Sequence, residues 1–347
     1  MKRNVAGRLC RRWCVPRLRA PAHTQIAAPT EPSTPLLASA LPCAALTQPA
    51  MSIEADPGGG IIIYDDEDGS TGRRLEKELR ALVVELSHAA EAGSSWPSDE
   101  VAAALGKLWP YMEDNVDELF YFGGVAEGSA RRRLQDVLLR TLPRRLAAPQ
   151  QAAARPAALL DYARCTWDAF DWEQRDQDQK PWMPSGPGPL APLAAGALAG
   201  VAAACVAAND AAPKGGLSEV VVELRRFLLT CAHACLAGWG DRWGEAVVGP
   251  GHPLVAPMLG LALREASTPR PPDAHPSLDH DTPLSARTWQ EAAADVLRHL
   301  SARALAAAHQ GGLDLGPLKP LAEAVPQQVL ARGGPPAAAL VAAILAS

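Results

Sequence analysis

Apolar residues recur at helical spacing along most of the chain after residue 70. The first stripe contains Leu75, Leu79, Val83 and Leu86, and charged residues lie mostly on the opposite side. Alanine supplies 67 of the 347 residues, and it is the best helix former and a poor strand former. This pattern predicts an all-α fold of closely packed helices and disfavours a β-sandwich, a collagen or a disulfide-stabilised miniprotein.

The stripes and their breaks predict a single helical domain over residues 70–347, with long loops at 171–189 and 267–283. The first helix ends at Gly93, and the second begins at Ser98 and is broken by Pro110. The later helices are predicted at 114–122, from about 129, and at 156–170, 190–208, 218–237, 241–247, 254–265, 285–309, 318–331 and 336–346.

Consecutive helices pair into units of similar length, which are 71–109, 114–146, 156–208, 218–265 and 285–330. Three segments within these units have a comparable local pattern of residues: ARRRLQDVLLRTL (130–142), PLVAPMLGLALRE (253–265) and ARTWQEAAADVLRHLS (286–301). The chain thereby resembles HEAT and armadillo-type helical repeat proteins, whose units have about this period. The resemblance implies a right-handed stack of helix pairs, and the alternative is a non-repeating all-α domain.

The first fifty residues differ from the rest of the chain. They carry seven Lys or Arg and one acidic residue, Glu31, so that the remainder of the chain has a net charge of −11. An Arg-rich, acid-poor, amphipathic start is typical of mitochondrial and plastid transit peptides. We therefore interpret residues 1–50 as a disordered transit peptide or as a non-native leader upstream of Met51. The second interpretation places the protein in the cytoplasm or nucleus, and the first places it in an organelle.

Residues 51–69 are interpreted as an acidic, glycine-containing linker. The short apolar run Ile61–Tyr64 has strand character, but the sequence indicates no partner strand for it. We expect its apolar residues to dock on the first helix.

Residues 190–208 carry no charge and are long enough to cross a membrane. Most of their side chains are alanine, however, and Gly196 and Gly200 would let a helix pack closely inside a soluble core. A buried central helix is therefore predicted, and a membrane partner is not expected.

Two segments contain residue types that bind metals. Cys231, His233 and Cys235 lie within a predicted helix, where 233 points away from the side shared by 231 and 235. The segment 273–281 contains two histidines and three aspartates without the usual ligand spacing. Asp295 and His299, one helical turn apart, are expected to form a surface pair. No nucleophile elbow or phosphate-binding loop is present in the sequence. We therefore expect no metal, no cofactor and no catalytic residues.

Two sequence features indicate an interaction surface. Arg133, Arg140 and Arg144 fall within about 60° of one another on a regular helix and would contact an acidic partner or phosphates. Trp172 and Trp182 lie in the acidic 171–189 loop, where tryptophan beside carboxylates is typical of protein docking, whereas Trp167 is expected in the core.

These features predict a scaffold or adaptor that binds partner proteins as a non-catalytic subunit of a larger assembly. The first alternative is an organellar RNA-binding helical-repeat protein that uses the Arg133, Arg140 and Arg144 surface. The second alternative is a metal-dependent enzyme on a helical scaffold with its site in the 267–283 loop.

Overall fold

The computed structural model describes residues 52–55, 61–64, 70–92, 95–115, 119, 128–178, 190–212, 217–233, 248–268 and 289–347. Within these ranges the chain is almost entirely helical, apart from one short hairpin that precedes the first helix. The all-α class predicted from the helical stripes is confirmed.

The helices begin with α1 (Ser70–Ala92) and α2 (Asp99–Asp114). Next, α3 (Ala130–Asp136), a π turn (Val137–Thr141) and α4 (Leu142–Arg145) form one continuous helical stretch. The later elements are α5 (Pro149–Ala152), α6 (Pro156–Asp178), α7 (Ala191–Ala211), α8 (Glu219–His233), α9 (Val255–Ser267), α10 (Trp289–His309), a 3₁₀ turn (Gly316–Leu318), α11 (Lys319–Glu323) and α12 (Gln327–Ala346).

The hairpin corrects one detail of the sequence interpretation. Strand β1 (Ser52–Ala55) pairs antiparallel with β2 (Ile61–Tyr64), with Ser52 opposite Tyr64 and Ala55 opposite Ile61. The apolar run 61–64 therefore has a partner strand. The sequence analysis did not identify the partner strand, because its four residues, one polar and one acidic among them, are too few to show the alternation of apolar and polar residues that indicates a strand.

The helices pack in two layers that follow chain order. In the first layer α1 contacts α3 and the π turn, the π turn contacts α7, α7 contacts α9, and α9 contacts α11. In the second layer α2 contacts α6, α6 contacts α8, α8 contacts α10, and α10 contacts α12. Chain neighbours such as α1 and α2, or α9 and α10, join the two layers. Most contacts therefore join helices one or two places apart in the chain, whereas the contact of α2 with α6 spans a longer interval.

Helix α7 lies inside this arrangement, as the sequence predicted for the uncharged segment. It contacts α6, α8 and α9, and a Cβ added at Gly200 would lie 2.5 Å from Leu146. Helices α7 and α12 both have the length and hydropathy to cross a membrane, and 61% and 33% of their apolar windows are buried in the protein. The apolar composition of α7 is thus accounted for by the core that surrounds it.

The predicted ends of the second helix and of the 156–170 helix are wrong, and the predicted helix 318–331 is interrupted between Glu323 and Gln327. Helix α2 continues through Pro110 to Asp114. Pro110 and Gly106 are both exposed, so the carbonyl that proline leaves without an i+4 donor can reach water, while the next turn buries Met112 completely. Helix α6 continues to Asp178, well into the predicted 171–189 loop, because Glu, Gln and Arg in this stretch are good helix formers and no glycine or proline interrupts them.

Helix α12 contains the break that the sequence predicted between 331 and 336. Gly334 has φ 72° and ψ −171°, a conformation that favours glycine, and two prolines follow it. The helix is consequently kinked at this point.

Candidate functional site

Two sets of contacting side chains, which meet on α8, lie across the second layer of helices. They are Trp109 on α2, Arg164 on α6, Glu223 and Arg226 on α8, and Trp289 at the start of α10. We call this set the arginine–tryptophan row. Because α2, α6, α8 and α10 pack side by side, the row runs across the helices and not along any one of them.

One end of the row is centred on a buried arginine. The Arg164 guanidinium lies 5.2 Å from the centre of the Trp109 ring, and its NH2 group is 2.5 Å from Oε1 of Glu223. Asp161, one turn earlier on α6, lies 3.8 Å from the same guanidinium. Burial raises the pKa of Asp161, Arg164 opposes that effect, and the Glu223 carboxylate adds to it. This end therefore has two carboxylates against one cation.

Behind the other end of the row lies a buried ion pair between α8 and α9. Arg225 donates from Nε to Oε2 of Glu265 at 2.7 Å, and both side chains are at least 96% buried. The NH1 group of Arg225 donates to the Asn209 side-chain oxygen at 3.0 Å, and the Asn209 amide donates to the Cys205 carbonyl oxygen at 2.7 Å. This network joins α7, α8 and α9, and each charge in it has a partner, as buried charges require.

Arg226 differs from its neighbour Arg225 in exposure and in its contacts. Its Nε donates to Oε1 of Glu265 at 3.1 Å, its guanidinium lies 5.3 Å from the centre of the Trp289 ring, and its side chain is 37% exposed. The terminal nitrogens make no hydrogen bond to another residue in the described part of the chain. Two guanidiniums therefore share the Glu265 carboxylate, and this end of the row has one positive charge in excess.

The sequence analysis did not find the row. Its members are separated by 180 residues and have no motif spacing. One signal was available, because Arg164, Arg225 and Glu265 occupy core-facing positions of otherwise apolar stripes. A charge at such a position indicates a buried ion pair, although the sequence does not show which residue is the partner.

The arginines of the predicted basic surface are placed differently from one another. Arg133, Arg140 and Arg144 are all exposed, and Arg140 forms an ion pair with Asp136 at 3.3 Å. The π turn begins after Arg133 and contains Arg140, and it shifts the residues that follow it, such as Arg144, by one position, about 100° around the axis. The spacing of a regular helix therefore does not apply to these three residues. Of the other arginines in this stretch, Arg131 is buried and Arg145 donates to the Ala90 carbonyl oxygen.

The first part of the predicted tryptophan loop, 171–178, is helical and belongs to α6. Trp172 lies in this helical part, and residues 179–189, which include Trp182, lie outside the described residues. Trp167 is fully buried, as expected, and packs edge-on against Phe170 with ring centres 5.7 Å apart.

The predicted metal-type segments fall mostly outside the described ranges. Cys231 is buried on α8, Cys235 and the segment 273–281 lie outside the described residues, and no three His, Cys, Asp or Glu side chains cluster within those ranges.

The prediction that Asp295 and His299 form a surface pair is wrong, because Asp295 is buried and lies 3.6 Å from Arg298 and 3.9 Å from Arg332. A carboxylate at the α10–α12 contact is buried because two guanidiniums from these helices approach it.

The comparisons with known proteins give no further information about these residues. Comparison with family models, curated proteins and solved structures finds no match for the chain.

Proposed function

We propose that the chain is a HEAT-like helical scaffold or adaptor, a non-catalytic subunit that binds a partner protein through the arginine–tryptophan row. The contacts between helices support a stacked architecture, since most helices pack on those one and two places away in the chain. Such a stack presents side chains from successive helices on one continuous surface.

The observation that carries the proposal is the position of the row on four successive helices of one layer. Arg226, Glu223 and Trp289 are partly exposed there. The buried Arg164 contacts Glu223, and the buried Glu265 of the Arg225–Glu265 pair contacts Arg226. Arginine and tryptophan are the residue types that most often dominate the energetics of protein interfaces. Because the positions of these side chains are fixed before binding, they lose little conformational entropy when a partner binds.

A capture experiment with matched variants tests this function. The full-length tagged chain is cross-linked in cells, and its partners are quantified by mass spectrometry for wild type, for Arg226→Ala/Trp289→Ala and for Arg133→Ala/Arg144→Ala. We expect a set of proteins that is recovered near stoichiometry, is lost with the first variant and is retained with the second. Recovery that is equal for all three chains would contradict the proposed surface.

The same experiment separates the RNA-binding alternative, which is favoured by the exposure of Arg133 and Arg144. Nucleic-acid binding through several phosphates needs several unpaired cations and weakens steeply with salt. That alternative predicts cross-linked RNA that is lost with Arg133→Ala/Arg144→Ala and retained with Arg226→Ala/Trp289→Ala.

A further inference from the structure

We infer that Arg226 is an anchor for a carboxylate, so that the partner docks on the row through an acidic segment of its chain. This inference rests on the proposed function and names the class of partner that the row takes. It adds to the proposed function that one residue, Arg226, binds the partner's negative charge.

The position of Arg226 is fixed before any partner arrives. The Nε contact to Glu265 fixes one edge of the guanidinium, and the Trp289 ring lies beside it. The opposite edge carries the two terminal nitrogens, which have no hydrogen-bond partner among the described residues. A guanidinium presented in this way matches the two oxygens of a carboxylate with two parallel hydrogen bonds.

The local charge favours an anion at this position. Arg225 and Arg226 both contact Glu265, so one positive charge is left over, and it belongs to the exposed member of the pair. The partly exposed Trp289 side chain offers an apolar contact beside that charge. An acidic residue next to an apolar side chain is therefore the ligand that the two groups fit together.

The rest of the row argues against a polyanion such as RNA. At the α6 end, Asp161 and Glu223 outnumber Arg164, so a ligand with closely spaced phosphates would meet repulsion from Glu223, one turn before Arg226 on α8, and from Asp161 on the neighbouring α6. A protein segment can place one carboxylate at Arg226 and an uncharged or basic residue over Glu223. The alternation of charge along the row thus favours a polypeptide.

Binding of defined peptides to the full-length chain tests the inference. The probes are a fluorescein-labelled Gly-Leu-Glu-Glu-Leu-Gly peptide, its Gln-for-Glu counterpart and a labelled oligouridylate, and the readout is fluorescence anisotropy at two salt concentrations. We expect the Glu peptide to bind and the Gln peptide to bind about tenfold more weakly, since one charge-assisted contact is lost. No binding of the Glu peptide at millimolar concentration, or tighter binding of the oligouridylate, would overturn the inference.

Three variants locate the binding. Arg226→Ala is expected to weaken the Glu peptide about tenfold, and Arg226→Lys to weaken it several-fold because lysine keeps the charge but loses the forked geometry. Arg133→Ala, an exposed arginine on α3, is the matched control and is expected to bind as wild type. Glu265 keeps Arg225 as its partner in each Arg226 variant, and circular dichroism checks that the fold is unchanged. Wild-type affinity in Arg226→Ala or Arg226→Lys would overturn the inference.

Failure of this inference and failure of the proposed function give different results. If the captured proteins are lost with Arg226→Ala/Trp289→Ala while the Glu peptide does not bind, the scaffold proposal stands and the acidic class of partner is wrong. If no protein depends on the row, the scaffold proposal itself is wrong.

Discussion

The hydroxyl group of Tyr162 on α6 donates a 2.7 Å hydrogen bond to the carbonyl oxygen of Leu138 in the π turn. In a π turn that oxygen would accept from the residue five places later, which is Pro143, and proline has no N–H. Tyr162 therefore supplies the donor that the backbone lacks. Tyr162 and Leu138 are both fully buried, so water does not reach this oxygen.

Replacing Tyr162 with phenylalanine is expected to lower the free energy of unfolding by about 1–3 kcal/mol, because the Leu138 carbonyl becomes a buried acceptor without a donor. Chemical denaturation followed by circular dichroism measures the change. Tyr111→Phe is the control, since the Tyr111 hydroxyl is less buried and its hydrogen bond to Leu75 is long at 3.3 Å. Equal losses for the two variants would show that the Tyr162 hydroxyl has no special role.

A second substitution tests the cause of that loss. Pro143→Ala restores an N–H opposite the Leu138 carbonyl, so Tyr162→Phe should cost less in this background than in the wild type. Denaturation of the single and double variants gives the coupling between the two positions. Additive effects would mean that Pro143 is not the reason for the Tyr162 contact.

Glu265→Gln is expected to destabilise the protein by about 3–5 kcal/mol, because it leaves the Arg225 guanidinium buried without its counter-charge. Asp210→Asn is the matched control, because it removes the carboxylate of a different ion pair, between Asp210 on α7 and Arg264 on α9, in which the aspartate is mostly exposed. The control should cost at most about 1 kcal/mol. Thermal and denaturant unfolding compare the two, and a small effect of Glu265→Gln would contradict a structural role for the network.

Asp161 should make stability depend on pH. Its pKa is raised in the folded protein by burial, so the folded state keeps the proton to higher pH than the unfolded state. Stability from this group is therefore present below its unfolded pKa, falls as pH rises through the folded pKa, and stays lower at neutral pH. Asp161→Asn removes this dependence, so the variant should gain stability relative to wild type as the pH rises from below the unfolded pKa toward neutral. A difference that does not change with pH would contradict the raised pKa.

Cys205 should be inert in the folded protein. Burial raises the pKa of its thiol to about 12, against the opposing effects of Arg225, Asn209 and Arg264. Very little of the reactive thiolate is present near neutral pH. Peptide mapping after iodoacetamide treatment should find Cys205 unmodified in the native state and modified in guanidinium chloride, whereas a cysteine placed at exposed position 95 by Ser95→Cys reacts in both. Rapid native labelling of Cys205 would show that the α7–α9 contact opens readily.

Local pattern was sufficient to predict most of the helices. The stripe from Leu75 to Leu86 predicted the buried side of α1, the uncharged 190–208 segment predicted a central helix, and the gap between the predicted helices 318–331 and 336–346 predicted the break in α12. Each of these features is determined by residues close in sequence, where helical periodicity and glycine or proline are reliable signals.

The features that were missed depend on contacts between distant residues. The π turn relies on a tyrosine donor 24 positions from the carbonyl that it serves, and the continuation of α2 past Pro110 relies on the burial of Met112. The row depends in the same way on Trp289 reaching Arg226. Such contacts leave no spacing pattern in a single sequence, so the sequence predicted exposed Arg133, Arg140 and Arg144 as the interaction surface instead.

The native mass of the protein isolated from its own cells tests the central claim most directly. A scaffold that works as part of an assembly should elute well above the 36.5 kDa of one chain, and Arg226→Ala/Trp289→Ala should elute at a lower mass with its fold intact. Arg133→Ala/Arg144→Ala should elute as wild type. If the wild-type chain and the Arg226→Ala/Trp289→Ala chain have the same native mass, the arginine–tryptophan row does not hold a partner and the account is wrong.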